Sequence, residues 1–179
     1  MDNFVLLKKS TELVEMSTSL GFTRTYCADD FLFFSGGTKK EMLKKLRGAY
    51  QKGLITIYHP VTEEMLRFAL ERTTVNILIG IEFIHPKDSF HFVRGGLDQV
   101  LCTIAAKNKK MIAFSFQEIL SSKNRSQLLG RMAFNLELCK KYNLKTIFSN
   151  FSSEATSLRS AADLASFQKV LEKQRNVYK

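Results

Sequence analysis

The segment VNILIGIEFIHP, residues 75–86, decides the fold class of this chain. Its apolar side chains run almost without interruption instead of alternating with polar ones, which is typical of a strand covered on both faces. We therefore predict a buried strand across this segment. Shorter runs of the same kind predict further strands at residues 4–8, 22–27, 31–34, 54–60, 111–116 and 144–150.

Between these runs, apolar residues recur at helical spacing. Residues that favour helix N-caps stand at the predicted starts: Ser10 or Thr11 for the first helix, then Thr38, Thr62 and Ser160. The predicted helices cover residues 10–21, 38–53, 62–73, 97–105, 124–142 and 160–173.

Strands that alternate with helices predict an α/β fold with a mainly parallel sheet. The chain lacks the G-x-G-x-x-G pattern of dinucleotide-binding folds, so a barrel of the TIM type is favoured. Its 179 residues are few for eight complete strand-helix units. We predict a single TIM-barrel-like domain over residues 1–179, an incomplete barrel of six or seven parallel strands surrounded by helices.

Composition narrows the class of protein. Apolar residues make up 45% of the chain, which indicates a globular protein rather than a disordered one. No apolar run has the length of a membrane span, and the N-terminus lacks the order of a signal peptide. The three cysteines show no close pairing. We expect a cytoplasmic protein with reduced thiols and no membrane partner.

Positive charge is concentrated in the second half of the chain. The net charge is +10, and the pI is about 9.6. Residues 1–94 carry 13 Lys and Arg against 11 Asp and Glu, whereas residues 95–179 carry 14 against 6. Clustered cations of this kind favour a polyanionic partner, because binding releases counterions from phosphates. A soluble surface with excess lysine is the alternative interpretation.

Catalytic motifs offer only one candidate set. His59 and His85 each precede a proline at a predicted strand end, and His91 follows closely, so a free-standing barrel phosphoesterase would use these three residues. The first strand, DNFVLLK, lacks the His-x-His pair that such a metal site would open with. The chain has no G-x-S-x-G and no Walker motif. We predict no catalytic residue, no metal ligand and no bound cofactor in this chain.

Two regions are candidate contacts to nucleic acid. Arg94, Gly95 and Gly96 precede a helical pattern, and glycines would let a phosphate approach the first N–H groups of that helix, although Asp98 competes for the same donors. The basic segment 107–145 supplies four further predicted contacts: Lys109, Lys110, Lys123 and Arg125.

On the helix predicted at 124–142, Gln127, Arg131 and Asn135 stand at i, i+4 and i+8 and share one face. An arginine between two amides is suited to hold a phosphate and to bond sugars or bases, so Arg131 is also a predicted RNA contact. An ordinary solvated helix face is the alternative.

Three ordered motifs carry a resemblance to a known family. Residues 94–98 read R-G-G-L-D, residues 125–135 fit R-x-x-L-L-x-R-M-x-x-N, and residues 158–164 fit L-R-S-x-x-D-L. In this order, over roughly residues 75–171, the chain resembles ribonuclease P protein component 3, the archaeal counterpart of a eukaryotic nuclear ribonuclease P and MRP subunit. The turn after the last strand, SNFSSEAT, departs from the family pattern, which leaves contacts at residues 150–153 open.

The resemblance implies a TIM-barrel-like relative of polymerase-and-histidinol-phosphatase enzymes that has lost their metal centre. It implies a subunit that pairs with ribonuclease P protein component 2 and stabilises the catalytic RNA, which cleaves the 5′ leader from precursor tRNA with magnesium held on the RNA. Precursor tRNA would be an indirect partner. Arg159, in the last motif, joins the predicted RNA contacts.

Overall fold

A computed structural model describes residues 1–173, in which strands and helices alternate except at β2–β3 and at α5–α6. The strands are β1 (Asp2–Phe4), β2 (Arg24–Tyr26), β3 (Phe31–Ser35), β4 (Ile55–His59), β5 (Ile77–Ile79), β6 (Met111–Ser115) and β7 (Lys145–Ser149). The helices are α1 (Thr11–Ser19), α2 (Lys39–Gln51), α3 (Glu63–Arg72), α4 (Gln99–Lys107), α5 (Phe116–Ser121), α6 (Arg125–Lys141) and α7 (Ala161–Lys173).

The strands are all parallel, and they form two sheets rather than one closed barrel. One sheet pairs β1 with β2, and the other has the order β3-β4-β5-β6-β7. The α/β class and the incomplete TIM-like barrel are therefore confirmed. The sheets separate where β2 passes directly into β3 through a turn at residues 27–30, which Asp30 closes by accepting the backbone N–H of Cys27 at 2.8 Å. The helix that would normally follow β2 is therefore absent.

At the opposite seam, side chains and a few backbone bonds join β7 to β1. Asn3 accepts hydrogen bonds from the Ser149 hydroxyl at 3.2 Å and from the Asn150 amide at 2.9 Å. The backbone N–H of Phe151 donates to the carbonyl of Phe4 at 2.7 Å. Asn3, Ser149 and Asn150 are almost fully buried. A buried polar network thus takes the place of a strand ladder at this seam.

Two apolar layers flank the larger sheet. The inner layer contains Phe4, Phe31, Ile57 and Ile77, and Phe4 stacks on Phe151 with ring centroids 5.6 Å apart. The outer layer packs the helices onto the other face of the strands and is the larger cluster. Strands buried on both faces need apolar residues on both, which explains the near-continuous runs in the sequence.

Local capping follows the sequence closely. The side chains of Ser10, Thr62 and Ser160 accept the backbone N–H of the third residue beyond them, at 3.2, 3.2 and 3.1 Å. Thr38 forms a complete capping box with Glu41. These bonds satisfy N–H groups that a helix start leaves without an intrahelical partner.

Two predicted strands differ from the structure, and one helix was not predicted. The strand predicted over residues 75–86 ends at Ile79, because Gly80 takes a left-handed conformation (φ 70°) and a short 3-10 helix, Ile81–Phe83, follows. The first strand occupies residues 2–4 instead of 4–8. The Val5 N–H still donates to Tyr26 of β2, but the Leu6 N–H donates to the Ser152 carbonyl, so the regular pairing with β2 ends at Phe4. The helix that was not predicted is α5, which the Ser115 hydroxyl caps.

Candidate nucleic-acid interface

The connection from Gly80 to Asp98, here called the β5–α4 loop, is held at its base by one carboxylate. Asp88 accepts the backbone N–H of Arg94 at 2.9 Å, which closes residues 88–94 into a compact turn. It also accepts Nε of Arg131 at 2.9 Å and the amide of Gln127 at 2.8 Å, both from α6. Partial burial would raise the pKa of Asp88, but these hydrogen bonds outweigh it and hold the pKa below its ordinary value.

Arg131 is an internal tie between α6 and this loop. Its side chain is 5% exposed, and besides its ion pair with Asp88 it donates from Nη1 to the carbonyls of Glu82 at 2.8 Å and His85 at 2.6 Å. Both interpretations of the sequence, an RNA contact and an ordinary solvated helix face, place Arg131 at the surface. The structure buries it instead, because the β5–α4 loop covers that face of α6. A direct contact from Arg131 to RNA would require these internal bonds to break.

The two glycines of the RGG motif permit close approach, but what approaches them is the protein itself. A side chain at Gly95 would place its Cβ 2.5 Å from Oδ1 of Asn135, and the Gly95 carbonyl accepts the Asn135 amide at 2.7 Å. Gly96 has φ +92°, and a Cβ there would lie 2.4 Å from the carbonyl oxygen of Ile81. Both glycines therefore let the loop pack on α6 and on the 3-10 turn.

At the start of α4, where the sequence predicts a phosphate-binding site, the Asp98 side chain occupies part of that site. Asp98 is the N-cap of α4 and accepts the backbone N–H of Leu101 at 2.7 Å. Its carboxylate therefore takes one of the donors that a phosphate would need. Arg94 itself is available: its side chain is 43% exposed, and its contact to Glu63 is long, at 3.8 Å. A guanidinium with this exposure can still bind an anion from solution.

The basic segment 107–145 is divided between the two ends of the barrel. In a barrel of parallel strands, a connection leaves its strand at the carboxyl end, and the last helix of that connection returns the chain to the amino end, where the next strand begins. Arg94, Lys123, Arg125 and Arg159 belong to the carboxyl end, whereas Lys109 belongs to the amino end. The other exposed amino-end cations near Lys109 are Arg72, Lys107, Lys140, Lys141 and Lys145.

Lys110 differs from the other predicted contacts because it is 7% exposed. Its ammonium donates to the carbonyls of Thr73 at 2.6 Å and Val75 at 2.7 Å, and burial lowers its pKa. It joins the loop after α3 to the loop after α4. The expectation of an exposed lysine is therefore wrong at this position, while Lys123 and Arg125 are exposed.

Arg159 is half-buried and lies where the β7–α7 connection meets the seam. Its backbone N–H donates to Asn150 Oδ1 at 2.9 Å, and its carbonyl accepts the Asn150 amide at 3.2 Å. Its guanidinium donates to the carbonyl of Leu158 at 3.0 Å. Asn150 thus fixes the backbone at Arg159, and the guanidinium lies at the carboxyl end of the barrel.

The three histidines occupy three different environments. His59 lies at the end of β4 with Nδ1 3.1 Å from the Ser35 hydroxyl, and His85 lies 3.0 Å from a Glu63 carboxylate oxygen. His91 is exposed beside Phe90. The pKa values of His59 and His85 are both lowered, and burial is the largest cause in each case. Across residues 1–173, no three His, Cys, Asp or Glu side chains are grouped as metal ligands would be.

Glu82 is a buried carboxylate within the segment 75–86. It is 1% exposed, and neither carboxylate oxygen has a hydrogen-bond partner among residues 1–173. Burial, reinforced by the charge of Glu118, raises the pKa of Glu82 to about 7. The apolar run 75–86 predicts a buried segment at this position, but nothing in the sequence indicates that the carboxylate lacks a hydrogen-bond partner.

Two exposed aromatic residues were also missed. Phe90 and Phe92 are 97% and 64% exposed at the tip of the β5–α4 loop. The signal was present, since FHF stands two residues before Arg94 in a polar stretch, and interleaved aromatic and basic residues are typical of nucleic-acid contacts.

The chain is similar in sequence to known proteins, although no family model matches it. Ribonuclease P protein component 3 of Methanosarcina barkeri is 31% identical over 132 residues, which are 72% of this chain and 52% of that protein. The component 3 protein of Methanosarcina mazei is 30% identical over 131 residues, again 72% of this chain and 52% of that protein.

A structural relative extends the match over nearly the whole chain. A chain in a cryo-EM structure of archaeal ribonuclease P with mature tRNA superposes with a TM-score of 0.70 at 19% identity, covering 98% of this chain and 74% of that one. The resemblance to component 3 is thus confirmed in sequence, and the fold is shared. The chain spans about half the length of the curated relatives it matches. None of the helices in residues 1–173 has the length and apolar character to cross a membrane.

Proposed function

We propose that this chain, a relative of ribonuclease P protein component 3, is a protein subunit of a ribonuclease P ribonucleoprotein. It binds and stabilises the catalytic RNA, with protein component 2 as its protein partner, for removal of the 5′ leader from precursor tRNA. The complex acts in the cytoplasm, and the subunit meets precursor tRNA only through the assembled complex.

The observation that carries this proposal is the 31% identity to a component 3 protein over 72% of the chain. The exposed cations at the carboxyl end of the barrel support it, because Arg94, Lys123 and Arg125 face solvent. Cations at a rim suit the phosphate backbone of RNA, which they bind by releasing its counterions.

In this proposal the RNA, with its own magnesium, performs the phosphodiester cleavage, and the subunit holds the RNA in its active form. The site described above offers exposed cations, Arg94, Lys123 and Arg125, that can contact an anion. The subunit therefore contributes to rate by positioning and by offsetting phosphate repulsion.

Reconstitution tests the proposal. Ribonuclease P RNA, component 2 and the remaining protein subunits are assembled with and without this chain, and 5′-leader cleavage of precursor tRNA is followed at moderate magnesium. We expect the chain to increase cleavage and to cleave nothing when the RNA is left out. Unchanged cleavage on adding the chain, or cleavage at the mature 5′ end without the RNA, would contradict the proposal.

The two ends of the barrel provide a matched pair of variants for the same assay. Lys123→Glu with Arg125→Glu alters exposed cations at the carboxyl end, and Lys140→Glu with Lys141→Glu alters exposed cations at the amino end. The carboxyl-end pair is expected to weaken RNA binding more and to reduce the salt dependence by about 0.7–0.9 per lost phosphate contact. Equal losses from both pairs would place the RNA footprint over the whole surface instead.

A further inference from the structure

The tip of the β5–α4 loop, residues 89–93, presents two phenylalanine rings to solvent. Phe90 is 97% exposed and Phe92 is 64% exposed. A backbone bond from Ser89 N–H to the Phe92 carbonyl, at 3.2 Å, turns the chain between them. The His91 ring packs edge-on against Phe90 with centroids 5.2 Å apart. Three aromatic rings thus stand in sequence on a short turn.

The rings stand on a fixed base. Asp88 closes the turn through the backbone of Arg94 and is itself bonded to Gln127 and Arg131 of α6. Because the base is ordered before any ligand arrives, binding at the tip pays little for ordering the loop. Exposing two large apolar side chains gives the fold no packing free energy, and two such rings within one short turn form an exposed apolar patch, which is typical of an interaction site.

Beside the tip is a cavity of about 450 Å³ whose lining includes Phe92, Arg94, His85 and Glu63. Phe92 gives this cavity an aromatic wall, and Arg94 gives it an exposed cation. Lys87 adds a second exposed cation next to the turn. An aromatic face beside a guanidinium is the combination that binds a base by stacking and its phosphate by charge.

The geometry points to a stacking platform for unpaired bases: Phe90 and Phe92 stack on successive bases of a single-stranded RNA segment, and Arg94 binds the phosphate beside them. This inference rests on the proposed function and specifies which part of an RNA the loop takes. Duplex RNA is excluded from the platform, because its bases are already stacked on one another.

The flanking charges favour RNA over a protein as the occupant. The apolar area is broken into separate rings by His91 and bordered by Lys87 and Arg94, whereas a protein-docking surface has a continuous apolar centre with its charges at the rim. Glu63 offsets part of the positive charge of Arg94 from 3.8 Å. Lys87 has no ion pair among the described residues, so the border stays cationic.

Tryptophan substitution offers a direct test, because the chain contains no tryptophan. Phe90→Trp and Phe92→Trp each introduce a single indole, whose fluorescence is quenched when a base stacks on it. Oligouridylate and a blunt RNA duplex are the two probes. The matched control is Tyr50→Trp, since Tyr50 is 81% exposed and lies on α2 at the other end of the barrel.

We expect oligouridylate to quench both loop tryptophans, the duplex to quench neither, and the Tyr50→Trp control to respond to neither probe. The double variant Phe90→Ala with Phe92→Ala should bind oligouridylate more weakly at every salt concentration, by about 5-fold to 150-fold for each ring removed, since stacking is not a charge effect. Phe90→Tyr keeps a ring and should bind like the wild type.

No quenching by oligouridylate, equal quenching of the Tyr50→Trp control, or unchanged affinity of the alanine variant would each overturn the inference. So would an alanine variant that binds RNA normally but fails to assemble with the protein subunits, because the loop would then be a protein contact. None of these outcomes would contradict the proposed subunit function. That proposal fails only if the wild-type chain neither binds ribonuclease P RNA nor increases cleavage.

Discussion

The base and the tip of the β5–α4 loop lie a few residues apart and have opposite characters. At the base, Asp88, Arg131 and the RGG glycines are committed to bonds and close contacts within the protein. At the tip, Phe90, His91, Phe92 and the adjacent Arg94 side chain face solvent. One family motif, residues 94–98, therefore contains both a residue available to a ligand and two glycines required by the fold.

This contrast teaches that a basic residue within a motif is not by itself a ligand contact. Arg94 and Arg131 both match family motifs, yet one is exposed and the other is enclosed by Asp88 and two carbonyls. The expected consequence is that variants of the base reduce stability, while variants of the tip reduce RNA binding in a fully folded protein.

The largest effect is expected from Arg131→Met. The change leaves Asp88 and the carbonyls of Glu82 and His85 without their donors, and removing one partner of a buried ion pair costs about 3–5 kcal/mol. Urea unfolding measures the loss. The control is Arg125→Met on the same helix, which removes an exposed side chain and should change the free energy of unfolding by less than about 1 kcal/mol. Equal losses of unfolding free energy in the two variants would mean that the bonds of Arg131 at the loop base do not stabilise the fold.

The second effect is a pH dependence that comes from Glu82. Its pKa is about 7 in the folded protein against an ordinary value of 4.5, so the folded state holds a proton that the unfolded chain releases between these pH values. The stability it contributes is full below pH 4.5, falls as pH rises and is lost above about 7, a change on the order of 3 kcal/mol.

Glu82→Gln isolates this dependence, since an amide does not titrate. The unfolding free energy of the wild type minus that of this variant should fall as pH rises from 4.5 to about 7. His59 and His85 titrate in both proteins, so their contributions cancel in this difference. A difference that is constant with pH would show that Glu82 is not buried beneath the loop base.

A third, smaller effect distinguishes the loop glycines from an ordinary helical glycine. Gly96→Ala forces a side chain into a left-handed backbone and toward the carbonyl of Ile81, with an expected cost of about 2 kcal/mol. Gly130→Ala, within α6, meets open space and should stabilise the protein by about 0.5–1 kcal/mol. Thermal or urea unfolding of both variants checks the sign. A neutral Gly96→Ala would mean that the loop does not pack closely on the 3-10 turn.

The smallest effect on stability belongs to Arg94→Lys. The side chain is half exposed, so unfolding should change by less than about 0.5 kcal/mol. RNA affinity and activation of the reconstituted complex should fall by roughly fivefold, because lysine keeps the charge and loses the planar fork that binds phosphate. A loss of stability with normal RNA affinity would show that Arg94 stabilises the fold, like the residues of the loop base, and does not bind RNA.

Much of the barrel could be predicted from local sequence. The seven strands, their parallel arrangement and the caps at Ser10, Thr38, Thr62 and Ser160 were predicted, because apolar periodicity and capping are properties of neighbouring residues. The end of β5 at Gly80 was missed. A Cβ at Gly80 would lie 1.9 Å from the His59 ring, so the glycine is required by a strand partner that is distant in the sequence.

The candidate site was predicted less well, and the reason is visible on α6. Gln127, Arg131 and Asn135 form a polar stripe, which a single sequence assigns to solvent. In the structure the β5–α4 loop lies over that stripe, so Arg131 and Asn135 are buried by bonds to Asp88 and Gly95. Likewise, Lys109 and Lys123 are close in sequence but are separated by the length of β6 and α5.

By itself, then, the sequence determined the order and type of the elements, the positive charge and the family resemblance, because each of these depends on residues near one another in the chain. Only the tertiary structure decided which cations face solvent, how Asn3, Ser149 and Asn150 join the ends of the barrel, and that Phe90 and Phe92 stand on a clamped turn. Those features depend on contacts between segments far apart in the sequence, whose free energy appears only when the chain brings them together.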